Sequence, residues 1–102
     1  MKVRFTPRAR RDMAEIHDWI ALRNPAAARR VEDYVREVSR GLEDFPMVGA
    51  LTDLAQVRRL PLVRYPYTIY YRVDEFSETV DILRLVHSAR VQGTGKLPSD
   101  RN

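Results

Sequence analysis

The chain has 102 residues, 44% of them hydrophobic and 31% charged, with 18 Lys and Arg against 14 Asp and Glu for a net charge of +4. That length bounds it to one domain with a single modest core, and the composition is that of a globular protein, not of a disordered chain. No apolar run approaches the roughly 20 residues that cross a bilayer, and no signal-peptide pattern opens the chain, so a cytoplasmic protein without a membrane partner is expected.

Lys2 to Phe5 alternates basic and apolar residues, which predicts a short strand with one apolar face. Thr6 supplies a hydroxyl N-cap directly before Pro7, and proline suits the first helical position because its missing N–H would have no partner there. Met13, Ile16 and Ile20 recur at spacings of three and four beside Trp19, predicting an amphipathic helix from about Pro7 to Leu22. Asn24 and Pro25 repeat the cap signal, so a second helix starts almost at once. Val31, Val35, Val38 and Leu42 form its buried stripe, widened by Ala27, Ala28 and Tyr34. So short a connection makes the two helices an antiparallel hairpin. Glu32 with Arg36, and Glu37 with Arg40, fall at helical-neighbour spacings on the solvated face.

Phe45, Pro46 and Gly49 then break the helical pattern, and residues 45–56 are expected to be irregular, with Phe45 folding back to close the core. Val57 to Val63 reads as a strand, in which Pro61 argues for an edge or a bulge because it cannot donate to a ladder. Tyr65 and Pro66 make a turn. Tyr67 to Val73 alternates, with Tyr67, Ile69, Tyr71 and Val73 on one face and Thr68, Tyr70 and Arg72 on the other. After a polar connection at residues 75–78, Thr79 to His87 is the last strand. Its alternation puts Val80, Ile82, Arg84 and Val86 on one face and Asp81, Leu83, Leu85 and His87 on the other. Both faces are largely apolar, which marks an interior strand. Residues 1–90 are expected to form the single domain and residues 91–102 a polar tail. The expected fold class is α+β: an N-terminal strand and an antiparallel helix hairpin packed on a small antiparallel sheet with a three-stranded C-terminal meander.

The chain has no cysteine, which removes disulfides, thiolate catalysis and cysteine-ligated metals. His17 and His87 are its two histidines, no HExxH spacing is present, and neither a metal nor a cofactor is expected. The positive balance instead points to an acidic partner. Sixteen of the 18 basic residues are arginine, the better side chain for planar contact with phosphate or carboxylate. Arg58, Arg59, Arg64, Arg72 and Arg84 run through the meander and either form a basic partner surface or keep the wet side of the sheet soluble. Tyr65, Tyr67, Tyr70 and Tyr71 suggest a base-stacking platform, yet alternating tyrosine in strands is more often core. Trp19 and Phe45 also read as core, and His17 as structural.

In their order and spacing, FTPRARRDMAEIHDWI, FPMVG, VRRLP and YPYTIYYRVDEFSETVDILRLVHSAR resemble the RelE/ParE superfamily of type II toxin–antitoxin toxins, with the ParE-like branch favoured. The resemblance covers Val3 to Arg90. It implies a small toxin neutralised by a cognate antitoxin, whose C-terminal segment wraps the toxin along a groove beside the helix hairpin and an exposed strand edge, and which itself makes most of the contact with DNA. ParE-like members bind DNA gyrase and block replication, with plasmid stabilisation and growth arrest as the outcome. RelE-like members cut mRNA on the ribosome, for which the resemblance implies a basic residue in the third strand, another soon after the fourth, and a C-terminal tyrosine or histidine. Thr68 occupies the first position, Arg90 matches the second, and nothing aromatic follows Phe76. The expected activity is therefore gyrase inhibition by binding, with no catalytic residue. The alternatives are a metal-independent, ribosome-dependent endoribonuclease using His87 and Arg90, and a degenerate toxin that only partners its antitoxin and co-represses the operon.

Overall fold

The structure, a computed structural model, describes residues 1–91. The tail expected beyond Arg90 therefore lies, apart from Val91, outside the described residues. The elements run β1 (Lys2–Phe5), α1 (Pro7–Ala21), α2 (Pro25–Gly41), β2 (Ala50–Leu51), β3 (Val57–Pro61), β4 (Tyr67–Asp74), β5 (Thr79–His87) and a 3-10 turn at Ser88–Arg90. Both helix starts follow from their caps. The Thr6 hydroxyl accepts from the Ala9 amide at 3.2 Å and donates to the Ile82 carbonyl at 2.8 Å, so one side chain both starts α1 and ties it to β5. Asn24 Oδ1 accepts from the Ala27 amide at 3.0 Å and starts α2.

The helices bury the stripes that their periodicity predicts. Ala9 and Met13 of α1 join Val31 and Val35 of α2 and Leu42 in one core with Tyr67, Ile69, Tyr71, Val73, Val80, Ile82 and Leu85 of the sheet. Two aromatics expected in that core are not there. Trp19 is 60% exposed and Phe45 71% exposed. Trp19 lies about 100° around the helix from the stripe centre, with the Arg23 guanidinium 5.2 Å from its ring centroid. Leu42 closes the end of the core in place of Phe45.

The strand order is β1-β5-β4-β3-β2. The meander β3-β4-β5 is antiparallel, as expected, and β1 joins β5 in parallel, which makes the whole sheet mixed. Two residues of the segment expected to be irregular pair as β2 against Arg58 and Arg59. Because β2 reaches only that far, Pro61 sits where β3 has no outer neighbour and its missing N–H costs no ladder bond.

A bulge changes the phase of β5. Tyr71 pairs with Ile82 but Tyr70 pairs with Arg84, leaving Leu83 as the extra residue. Val80 and Ile82 therefore face the helices, and beyond the bulge that place passes to Leu85, while Val86 packs with Val57 and Tyr70 on the other face. Strict alternation placed Leu85 and Val86 on the wrong faces for this reason. The two adjacent tyrosines of β4 also differ in kind. Tyr71 bonds through its hydroxyl, whereas the Tyr70 hydroxyl is buried with no hydrogen-bond partner among the described residues. An unmet buried hydroxyl costs stability. Tyr70→Phe is accordingly expected to leave the urea midpoint unchanged or to raise stability by up to about 1 kcal/mol, and a clear loss in equilibrium unfolding would contradict this.

Candidate functional site

Two concave surfaces and one set of arginines can carry function. The first surface is a cleft of about 230 Å³ between α1 and the ends of β4 and β5, walled by Asp12, Glu15, Ile16 and Trp19 on one side and Tyr67, His87 and Arg90 on the other. His87 ends β5, and its Nδ1 accepts from the Ala89 amide at 3.1 Å. That bond leaves Nε2 carrying the proton when the ring is neutral. The Tyr67 ring stands edge-on to His87 at 5.6 Å, and burial raises the Tyr67 phenol above its ordinary pKa. His87 and Arg90 thus share a cleft, as the endoribonuclease alternative requires. Glu15 also lines this cleft, and its carboxylate disfavours a phosphate there.

The position where a RelE-like basic residue is implied does not open onto solvent. Thr68 is 2% exposed, with its hydroxyl 2.9 Å from Ser88 Oγ. Its role is to hold the 3-10 turn against β4.

The second surface is larger, a groove of about 820 Å³ between β1 and the two helices. Its apolar part is Val3, Phe5, Met13 and Val35, and Arg4, Arg10 and Arg36 stand with His17, Asp18 and Glu32 as its charged part. Arg36 is held by Glu32 at 2.9 Å, and Arg4 by Asp81 at 2.7 Å, which raises the Arg4 pKa further. β1 is an edge strand. The amides of Lys2 and Thr6 donate to the Glu78 and Ile82 carbonyls, so alternation turns the backbone groups of Val3 and Phe5 toward the open side. From sequence the groove candidates are only the exposed members of the helix stripes and the arginines of the meander, and none of those arginines lines it. The missing signal is tertiary, since α1, α2 and β1 each contribute a few side chains with no motif among them.

The arginines of the meander do not form one surface. Arg84 is only 5% exposed and belongs to the interior: its Nε donates to Asp12 Oδ2 at 2.7 Å. It is no part of a partner surface, because the ion pair with α1 occupies it. Arg58 turns inward and donates to the carbonyls of Met47 and Gly49 at 3.1 and 2.7 Å. Arg59 and Arg72 share the face of Val57 and Tyr70, opposite the helices. Arg64 is exposed and stacks at 5.3 Å on Tyr34. Tyr67, Tyr70 and Tyr71 are core, not a stacking platform. Among the described residues, no group of three His, Asp or Glu is placed to hold a metal, and no helix is long and apolar enough to cross a membrane.

Residues 3–92 match the family described as "ParE toxin of type II toxin-antitoxin system, parDE". The chain belongs to the ParE toxin family. This toxin is 34% identical over 90 residues to toxin RelE2 of Caulobacter vibrioides, a match that covers 88% of this chain and 98% of that one. It is 33% identical over 87 residues to Y4kP of Sinorhizobium fredii, covering 85% of this chain and 88% of that protein. Among solved structures it resembles the chromosomal ParDE toxin–antitoxin system of P. aeruginosa, with a TM-score of 0.72, 27% identity, and coverage of 85% of this chain and 95% of that one. The RelBE2 toxin–antitoxin complex of Mycobacterium tuberculosis gives a TM-score of 0.55 and 31% identity, covering 84% of this toxin and 95% of that chain. These relatives place the toxin in the RelE/ParE superfamily, and its two helices on a five-stranded sheet have the superfamily's fold.

Proposed function

We propose that the toxin is ParE-like: in the cytoplasm it inhibits DNA gyrase by binding, blocks replication, and is neutralised by a cognate antitoxin that makes most of the contact with DNA. The observation that carries this reading is the packing of Thr68 at a position where ribosome-dependent cleavage calls for a cation. A phosphoryl-transfer site needs groups that activate the nucleophile, stabilise the phosphate charge and protonate the leaving oxygen. Thr68 supplies none of these from inside the fold. The β1 groove supports the antitoxin part of the reading. An extended segment can add to the open edge of β1 with apolar residues over Met13 and Val35 and carboxylates near Arg10 and Arg36. The relatives from P. aeruginosa and M. tuberculosis are described as toxin–antitoxin assemblies, which accords with such a partner.

Purified toxin is expected to trap gyrase on cleaved DNA, and expression without antitoxin to lower DNA synthesis before translation. Unaltered gyrase activity at saturating toxin would count against the reading.

The shared cleft of His87 and Arg90 favours one alternative, a ribosome-dependent endoribonuclease. In that case translation falls first on induction, and His87→Ala and Arg90→Ala abolish mRNA cleavage while antitoxin binding is retained. An inert wild-type toxin on translating ribosomes removes it.

A further inference from the structure

Arg4, Arg10, Asp18, Glu32 and Arg36, together with His17, are the titratable side chains that line the β1 groove. Two of the cations are already matched within the toxin. Arg4 is held by Asp81 and Arg36 by Glu32, so neither pair adds net charge. Arg10 is exposed and forms no hydrogen bond or ion pair among the described residues. Asp18 has a side chain 84% exposed, with His17 Nδ1 at 3.6 Å, and a neutral imidazole leaves the carboxylate its charge.

These two charges stand at opposite ends of the groove. Arg10 and Asp18 are eight residues apart on α1, about 12 Å along its axis, and Met13 and Ala14 lie between them. The matched charges of α2 are ordered in the same sense. α2 returns antiparallel to α1, with Val35 and Met13 sharing the apolar floor, so Arg36 falls toward the Arg10 end and Glu32 toward the Asp18 end. The groove is thus cationic at one end, apolar in the middle and anionic at the other. A nucleic-acid backbone does not fit it, because phosphate would then lie beside Asp18 and Glu32. A peptide segment fits in one direction, since the reversed one sets like charges together.

We infer that the groove is polarised to fix the direction and register of the antitoxin segment: a carboxylate of the segment meets Arg10, an apolar side chain lies on Met13 and Val35, and a Lys or Arg meets Asp18. An extended chain advances about 3.3 Å per residue, so about four residues span the distance between the two charges. Alternate residues of a strand share one face. The recognised pattern is therefore an acid, an apolar residue and a base at every second position. The inference rests on the reading that the antitoxin occupies this groove, and it adds the direction and the cationic contact.

Arg10 and Asp18 are exposed, so Arg10→Glu and Asp18→Lys leave the core intact, which thermal unfolding checks. Ala14→Trp, at another exposed position, fills the groove between them without changing its charge. Each of the three is expected to unfold like wild type and to weaken binding of the cognate antitoxin by about tenfold or more, as a clash or a like-charge contact does. Carboxylates of the antitoxin segment are then changed to Lys one at a time against Arg10→Glu, and its cations to Glu against Asp18→Lys. One change of each kind is expected to restore binding by about tenfold, and the two restoring positions are to lie four residues apart with an apolar residue midway. If Ala14→Trp binds like wild type, the antitoxin does not occupy the groove, and that reading falls together with the inference. If Ala14→Trp loses binding while both charge variants stay within about twofold of wild type, the groove reading survives and the polarity is overturned. Restoration by no change, or at another spacing, overturns it as well.

Discussion

Asp12→Ala is expected to cost about 3–5 kcal/mol, the loss seen when one partner of a buried ion pair is removed and the other charge remains inside. Asp12 and Arg84 have side chains 4% and 6% exposed and meet at 2.7 Å, with a second contact from the guanidinium at 3.4 Å. The same carboxylate accepts the Leu85 amide at 3.0 Å, and Arg8 approaches it at 3.2 Å from the previous turn of α1. Asp12 therefore gathers two donors, Arg84 and the Leu85 amide, and a second cation at the point where the β5 bulge and α1 meet. A domain of this size has a total stability of roughly 5–15 kcal/mol, so the single variant brings it close to unfolding at ordinary temperature. Asp12→Asn separates charge from shape and is expected to lose less. Pairing Asp12→Leu with Arg84→Met removes both charges, and by the behaviour of buried ion pairs it should recover most of the loss. The recovery is incomplete because the Leu85 amide stays unpaired, at about 1–3 kcal/mol. Urea unfolding of the four proteins checks this, and equal stability of wild type and Asp12→Ala would remove the ion pair as a determinant of the fold.

That ion pair also shows where sequence reading stops. The helix starts were legible almost to the residue because capping is local: Thr6 before Pro7 and Asn24 before Pro25 carry their signal within four positions. The alternation of Tyr67 to Val73 was legible for the same reason. Arg84 was read as a surface cation, since arginine is seldom buried without a partner. Its partner lies 72 residues away and no short window contains both. The bulge at Leu83 has no glycine or proline to announce it. It falls where Thr6 takes the Ile82 carbonyl and the chain turns from β1 into α1, a fact of tertiary geometry. β2, at two residues, is too short for any periodicity. The candidate surfaces divide in the same way. His87 and Arg90 stand close in sequence and could be named together there, while the groove draws on three elements with no motif among them.

Gly49→Ala is the second substitution with a large expected effect, and its cause is steric. A Cβ at Gly49 would lie 2.7 Å from the Tyr71 hydroxyl, 2.8 Å from the Arg59 carbonyl oxygen and 2.9 Å from the Tyr71 ring. Real Cβ contacts are not that short, so the loop has to move. One of the close neighbours is backbone of β3, which cannot rotate aside. Overpacking of this kind costs about 1–3 kcal/mol, and displacement of the loop also breaks the Tyr71 hydroxyl's two hydrogen bonds, each worth about 0.5–1.5 kcal/mol. Burial raises the Tyr71 pKa, and the Gly49 amide and Arg58 draw it back down. The raised value means that the folded form holds the phenol proton more tightly than the unfolded chain. Its contribution is complete below the ordinary tyrosine range near pH 10 and is lost as the pH rises from there through the folded value. Tyr71→Phe keeps the ring, removes both bonds and is expected to cost about 1–3 kcal/mol. Combining it with Gly49→Ala relieves the contact with the hydroxyl but not the one with the Arg59 carbonyl, so the double variant should remain less stable than Tyr71→Phe alone. Thermal unfolding orders the three. If the double variant instead matches Tyr71→Phe, the backbone contact is not what requires glycine at this position.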